Sequence, residues 1–314
     1  MRTLTFSLLF FGGLLSYGQK NQVCFTFDDL PVAVLSFRSN EFQKTVTTKL
    51  LSALNKHKIP AIGFVNEKKL FDSNQPDTPK INLLKMWLDS GMDLGNHTFS
   101  HMDYHKVNSK KYFDDILKGE KLTKPLIAGY GKSIRYFRHP FLHAGESKEK
   151  ADSLNNFLKS TGYSVAPVTI DNSDWIFSMA YDSAMVKKDT ALMKSIGTTY
   201  IDYMERKLKY FEKQSNKLFD RNIRQILLIH ANAINADYLN ELAVMYEQNN
   251  YEFISLSQTL EDKAYLTNIT VFNRNWGISW LDRWALSQGK KGEFFKGEPL
   301  TPDYIMKLAK VTNE

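Results

Sequence analysis

Five short polar segments, each at the end of an apolar run, carry the chemistry available to this chain. They are Thr26-Phe27-Asp28-Asp29, His97-Thr98-Phe99-Ser100-His101, Arg138-His139-Pro140-Phe141, Asp171-Asn172-Ser173-Asp174-Trp175 and Leu228-Ile229-His230. His97 and His101 stand four apart, so on a helix or a tight turn both imidazoles can face one cation. Asp29 adds a carboxylate. Two histidines and one carboxylate leave coordination positions open, as a catalytic metal site does and a closed structural site does not. Zinc is the first expectation, and other divalent ions suit the same donors. Asp28 is the neighbour of Asp29, and adjacent side chains on an extended segment point opposite ways. One can therefore bind the metal while the other faces a water on it. Leu30-Pro31 follows, which argues against the pair simply capping a helix. His230 closes the run Gln225-Ile226-Leu227-Leu228-Ile229 and suits acid–base work at a strand end. Asp174 can orient it and raise its pKa toward that of a useful acid, and Arg138 can pair with Asp28 and keep it ionised.

The elements that position these groups read as alternating strands and helices. Apolar, β-rich runs fall at 23–27, 61–65, 92–95, 134–137, 164–169, 225–229 and 253–255. Helical periodicity falls at 41–57, 82–90, 109–122, 148–160 and 236–248. Alternation of this kind predicts a mostly parallel sheet. Seven strands fall short of the eight-fold barrel, so the expected fold class is α/β, a distorted (β/α)7-type barrel with its chemistry at the strand ends. Residues 177–219 form a charged stretch in which Ile201, Met204, Leu208 and Phe211 recur at helical spacing. This predicts one or two helices inserted before the sixth strand. The tail after Leu260 carries Trp276, Trp280 and Trp284, the last two spaced to share a helix face; packing is the reading preferred over a sugar platform.

The chain has 314 residues, 43% hydrophobic and 13% aromatic, enough to bury a sizeable core. Met1-Arg2-Thr3, an apolar run to Leu15 and the small residues Ser16 and Gly18 read as a secretory signal peptide over residues 1–18. The run is short for a bilayer span, so no stable membrane insertion is expected after cleavage, and the location expected is periplasmic or secreted. A single cysteine, Cys24, excludes an internal disulfide and reads as a core residue. The net charge of +7 is spread over dispersed lysines and not gathered into a nucleic-acid patch.

In this order, the five segments closely resemble the motifs of the NodB-type polysaccharide deacetylases, carbohydrate esterase family 4, over roughly residues 22–260. The resemblance implies a NodB-like barrel with residues 19–262 as its body and 263–314 as a C-terminal extension. It implies Asp29, His97 and His101 as metal ligands, Asp28 as the base that activates a metal-bound water and His230 as the acid that protonates the leaving amine. Arg138 would tether Asp28, and Asp174 would tune His230. The backbone N–H of Phe141 would face the oxyanion, at a position where the family usually has tyrosine; Trp175 and Leu228 would wall the acetyl pocket. His139 and His143 are not required by the family, and the interval from Asp174 to His230 is long. The activity implied is removal of N-acetyl groups from an N-acetylated glycan such as peptidoglycan or a chitin-like oligomer. O-acetyl esterases and small-amide hydrolases share the motifs, and a carbohydrate-binding pseudoenzyme would need a broken catalytic position, whereas all seven polar positions are present.

Overall fold

The structure, a computed structural model, describes residues 20–314. The leader read at residues 1–18 lies outside the described residues. Strand β1 (Asn21–Leu30) is buried on both faces from Val23 to Phe27, the signature of a strand in the middle of a parallel sheet. The other strands are β2 (Ile62–Val65), a short hairpin of β3 (Phe71–Asp72) and β4 (Gln75–Pro76), β5 (Asp93–Asn96), β6 (Tyr136–Phe137), β7 (Ser164–Val165), β8 (Gln225–His230) and β9 (Tyr251–Phe253). All but the hairpin join one parallel sheet of seven strands, in the order β7-β6-β5-β2-β1-β8 with β9 also on β1.

The sheet curls until its ends meet. The segment that leaves β6's neighbour β7 reaches β8 a few residues later, where Ile170 bridges Leu227. The Thr169 and Ile170 amides donate to the Ile226 carbonyl at 3.0 and 2.9 Å, and Leu228 N–H returns to the Ile170 carbonyl at 3.2 Å. The expected distorted (β/α)7-type barrel is thus the observed architecture, and the seven expected strands are its seven strands.

Helices α1 (Asn40–Lys56), α2 (Thr78–Asp89), α3 (Ser109–Lys118), α4 (Thr123–Ala128) and α5 (Lys148–Ser160) cover the first half of the barrel. In α1, Val46, Leu50 and Leu54 repeat every four residues and face the sheet, and Ser39 caps the first turn through the Phe42 amide. α2 starts four residues before the periodicity suggests, because Asp77 caps it and Pro79 fits its first turn. The helix expected over 109–122 ends earlier, at Lys118. Gly119 follows with its amide turned back onto Asp115, and α4 starts afresh.

The charged stretch after the fourth motif folds as two helices, α6 (Asp174–Val186) and the 30-residue α7 (Thr190–Phe219). The apolar set Met204, Leu208 and Phe211 is fully buried. α8 (Ala233–Gln248) packs on α1 and α7, and α9 (Leu256–Thr259) closes the barrel's last turn. The tail adds α10 (Trp280–Ser287) and α11 (Asp303–Ala309). Trp280 and Trp284 are both buried, the second between Phe219 and Tyr265, so on this helix the stripe is packing. Cys24 is a buried core residue, as expected. No helix among the described residues is long and apolar enough to cross a membrane.

Candidate active site

The C-terminal ends of β1, β5, β6 and β8 meet over one cavity of about 680 Å³, into which Asp28, Asp29, His97, His101, Phe141 and His230 face. Parallel register sets this: Asp28 lies directly across from His230. Asp29 turns out of the strand with φ 69°, which separates its carboxylate from that of Asp28.

His97 follows β5 and His101 sits on the loop beyond it. The two histidines converge through a tight loop and not a helix, with φ 64° at Thr98 and 56° at His101. That loop is fixed from below. Thr98 N–H donates to Asn96 Oδ1 at 2.7 Å, Asn66 holds the His97 carbonyl at 2.6 Å, and Asp115 accepts from the Ser100 amide and hydroxyl. His97 Nδ1 donates to the Arg138 carbonyl at 2.8 Å, which fixes the tautomer and leaves the Nε2 lone pair free toward the cavity. Nε2 of His97 and of His101 lie 3.9 and 3.7 Å from Asp29 Oδ1. One ligand atom from each of the three residues falls within 4.8 Å of the others. Asp29 Oδ1 is buried with no hydrogen-bond partner among the described residues. Burial lowers the pKa of both histidines, which favours the neutral imidazole form in each. Burial works against the Asp29 anion, yet Lys69, His101 and their neighbours outweigh it and hold that carboxyl well below its usual range. An orphaned carboxylate oxygen and two neutral imidazoles suit a divalent cation with positions left open.

Arg138 is fully buried behind Asp28. Its guanidinium reaches Asp28 Oδ2 at 3.5 Å and donates to Thr26 Oγ1 at 2.8 Å. Burial pushes Asp28 up to about 6, against the pull of Arg138 and His230. Across the cavity, Asp174 is completely buried at the start of α6. It accepts from His230 Nδ1 at 2.7 Å, the His230 amide at 2.8 Å, Asn235 Nδ2 at 2.8 Å and Asn232 Nδ2 at 3.2 Å. Burial alone would lower the His230 pKa. The Asp174 carboxylate reverses this and brings it up to about 9.

The third motif turns back on itself, with Phe141 and Leu142 both left-handed at φ 57° and 54°. The Phe141 ring lies 4.6 Å from His101. His139 and His143 are buried and not surface residues. His139 lines the cavity, and His143 Nδ1 bonds Asp103 Oδ1 at 2.7 Å, tying the third motif's loop to the second's. Trp175 and Leu228 line the same cavity.

Sequence reasoning missed several parts of the site. Thr26, Asn66, Asn232 and Asn235 hold the motif residues; a polar side chain in or near a motif was the only signal for Thr26, Asn232 and Asn235, and Asn66 had none. The tail contributes directly: Gly277 N–H donates to the Phe141 carbonyl at 3.0 Å, and buried Arg283 donates to the Leu142 carbonyl at 2.8 Å. Half-exposed Trp276 spans the mouth, its ring 6.0 Å from Trp175 and 6.5 Å from Phe141.

Residues 16–166 match the family model described as polysaccharide deacetylase. A peptidoglycan-N-acetylglucosamine deacetylase of Bacillus cereus is 31% identical over 156 residues, 50% of this chain and 47% of that protein. The chain thus matches about half the length of this relative. Among solved structures, a mutant CE4 family pseudoenzyme with restored enzymatic activity is similar at TM-score 0.50 and 17% identity, over 77% of this chain and 68% of that one. Another mutant of that pseudoenzyme is similar at TM-score 0.50 and 16% identity, over 77% and 67%. At that identity the likeness concerns the fold.

Proposed function

We propose, from the match of residues 16–166 to the polysaccharide deacetylase family model, that the chain hydrolyses the acetamide of an N-acetylated glycan, such as peptidoglycan or a chitin-like oligomer. The observation that carries this reading is the pair of opposed acid–base groups beside one cluster of cation donors: Asp28 backed by Arg138, and His230 backed by Asp174. Asp29, His97 and His101 would hold a divalent cation, zinc for preference, which when bound polarises a carbonyl and lowers the pKa of water. Asp28 takes the proton of the attacking water, and Arg138 keeps its carboxylate aimed into the cavity. The Phe141 N–H faces the oxygen that gains charge. His230, held protonated by Asp174, gives its proton to the nitrogen as the C–N bond breaks. Acetate and a free amine leave. Trp175 and Leu228 wall the methyl group. The leader read at residues 1–18 would deliver the protein to such a polymer outside the cytoplasm.

Acetate release from N-acetylated glycan oligomers tests this, measured on the purified protein after chelation, after zinc is added back, and beside Asp28→Asn. Release that needs the metal and is lost in the variant is expected. Tight glycan binding with no release would make the chain a binding protein, and release only from O-acetyl or small-amide substrates would move it to an esterase or amidase.

A further inference from the structure

The cavity has a second polar wall that the hydrolytic reading does not use. It is built from the fourth motif, α7 and the tail, and it holds Asp171, Lys207, Asp282 and Glu298, with Arg274 and Glu314 also lining the cavity. Lys207 is buried and already answered by Glu298, Nζ to Oε1 at 2.6 Å. The Glu314 carboxylate accepts from the Thr301 amide at 3.0 and 3.2 Å. Asp282 is different. It lies on α10, is only 7% exposed, and lines the cavity with Oδ1 lacking any hydrogen-bond partner among the described residues. A buried carboxyl without a partner is costly, by an amount comparable to a lost hydrogen bond or more.

Burial, with Glu298 and Asp171 nearby, pushes Asp282 up to about 8, and burial holds Asp171 at about 6 despite Lys207. Both groups therefore lack enough positive charge. The other arm of the cleft has the opposite sign. Its cavity of about 480 Å³ is lined by Arg38, Lys69 and Lys80, with Asp29 as the carboxylate among its lining residues. A cation entering the cleft is sorted toward Asp282 and away from that arm.

We propose that Asp282 and Asp171 form a subsite for the ammonium group of an amino sugar, beside the position of the acetamide. This rests on the glycan-deacetylase reading and extends it: the free amine that one hydrolysis leaves on the polymer becomes the group this wall recognises. Partly deacetylated chains are then preferred ligands.

The test is calorimetric binding of the glucosamine tetramer and the N-acetylglucosamine tetramer to the full chain at neutral pH, with acetate release from the acetylated tetramer measured on the same preparation. The glucosamine tetramer should bind about tenfold more tightly, the scale of one charge-assisted hydrogen bond. Asp282→Asn should remove most of that preference. Glu298→Gln, with its fold checked by circular dichroism because it removes the partner of buried Lys207, should also reduce it, by freeing Lys207 to repel the amine. Equal affinities in the parent protein, or a preference that both variants keep, would overturn the subsite. A protein that releases acetate but binds the two tetramers equally keeps the activity and loses the subsite. One that prefers the glucosamine tetramer through Asp282 but releases no acetate does the reverse.

Discussion

Asp174 accepts four hydrogen bonds inside the protein, two from His230 and one each from Asn232 and Asn235. Those donors satisfy a fully buried carboxylate, and that carboxylate in turn keeps His230 protonated up to about 9. An acid must carry its proton to act, so the proposed activity should fall as pH rises through that value. Asp174→Asn removes the opposing charge and leaves burial, which favours the neutral ring. The alkaline limb of the pH–kcat profile should then move down toward or below the ordinary 6.5, with kcat in mildly alkaline buffer falling on the order of a hundredfold. An unmoved limb in the variant would show that His230 is not the titrating acid.

At the scale of elements, α10 and the segment leading into it work as a brace. Gly277 holds the Phe141 carbonyl, Arg283 holds that of Leu142, and both carbonyls belong to a turn of two left-handed residues. A Cβ on Gly277 would sit 2.4 Å from the Phe141 oxygen and 2.5 Å from the Leu142 Cβ. The first of these contacts is with backbone, so the turn itself must shift. Gly277→Ala should therefore lower kcat/KM on the order of tenfold to a hundredfold through misplacement of the Phe141 amide. Circular dichroism and zinc content should stay unchanged. Full activity in this variant would mean that the brace has no catalytic consequence.

Across the whole molecule, the barrel is held shut where β8 begins. Arg221 and Arg224, on the turn leading into β8, converge on Asp262 ahead of the tail: Arg221 Nη1 reaches Oδ2 at 2.7 Å and the Arg224 amide reaches it at 3.1 Å. Burial would raise this carboxyl, but Arg221 and the backbone donors bring it down to about 2 from 3.8. A depressed folded-state pKa stabilises above the unfolded value and is lost as pH falls from about 4 toward 2. With Arg221 half exposed, the contribution is about 1–2 kcal/mol. Urea unfolding should show Arg221→Ala destabilised by that amount at neutral pH and the difference vanishing near pH 2; a difference that persists in acid would refute the linkage. The strands, most of the helices and the seven polar motif residues were legible in the sequence, because period and strand-end position are local properties and parallel strands bring their ends together. His97 and His101 were paired by their spacing together with Asp29, and of the helix or tight turn that spacing allowed, a left-handed loop is what brings them together. Helix ends at Gly119 and Asp77 depended on single caps. The brace from Gly277 and Arg283, the Asn232 and Asn235 donors to Asp174, and the unpartnered Asp282 were not legible. Each is a contact between segments far apart in the chain, and only the closing of the barrel and the return of the tail across its mouth decide which groups meet.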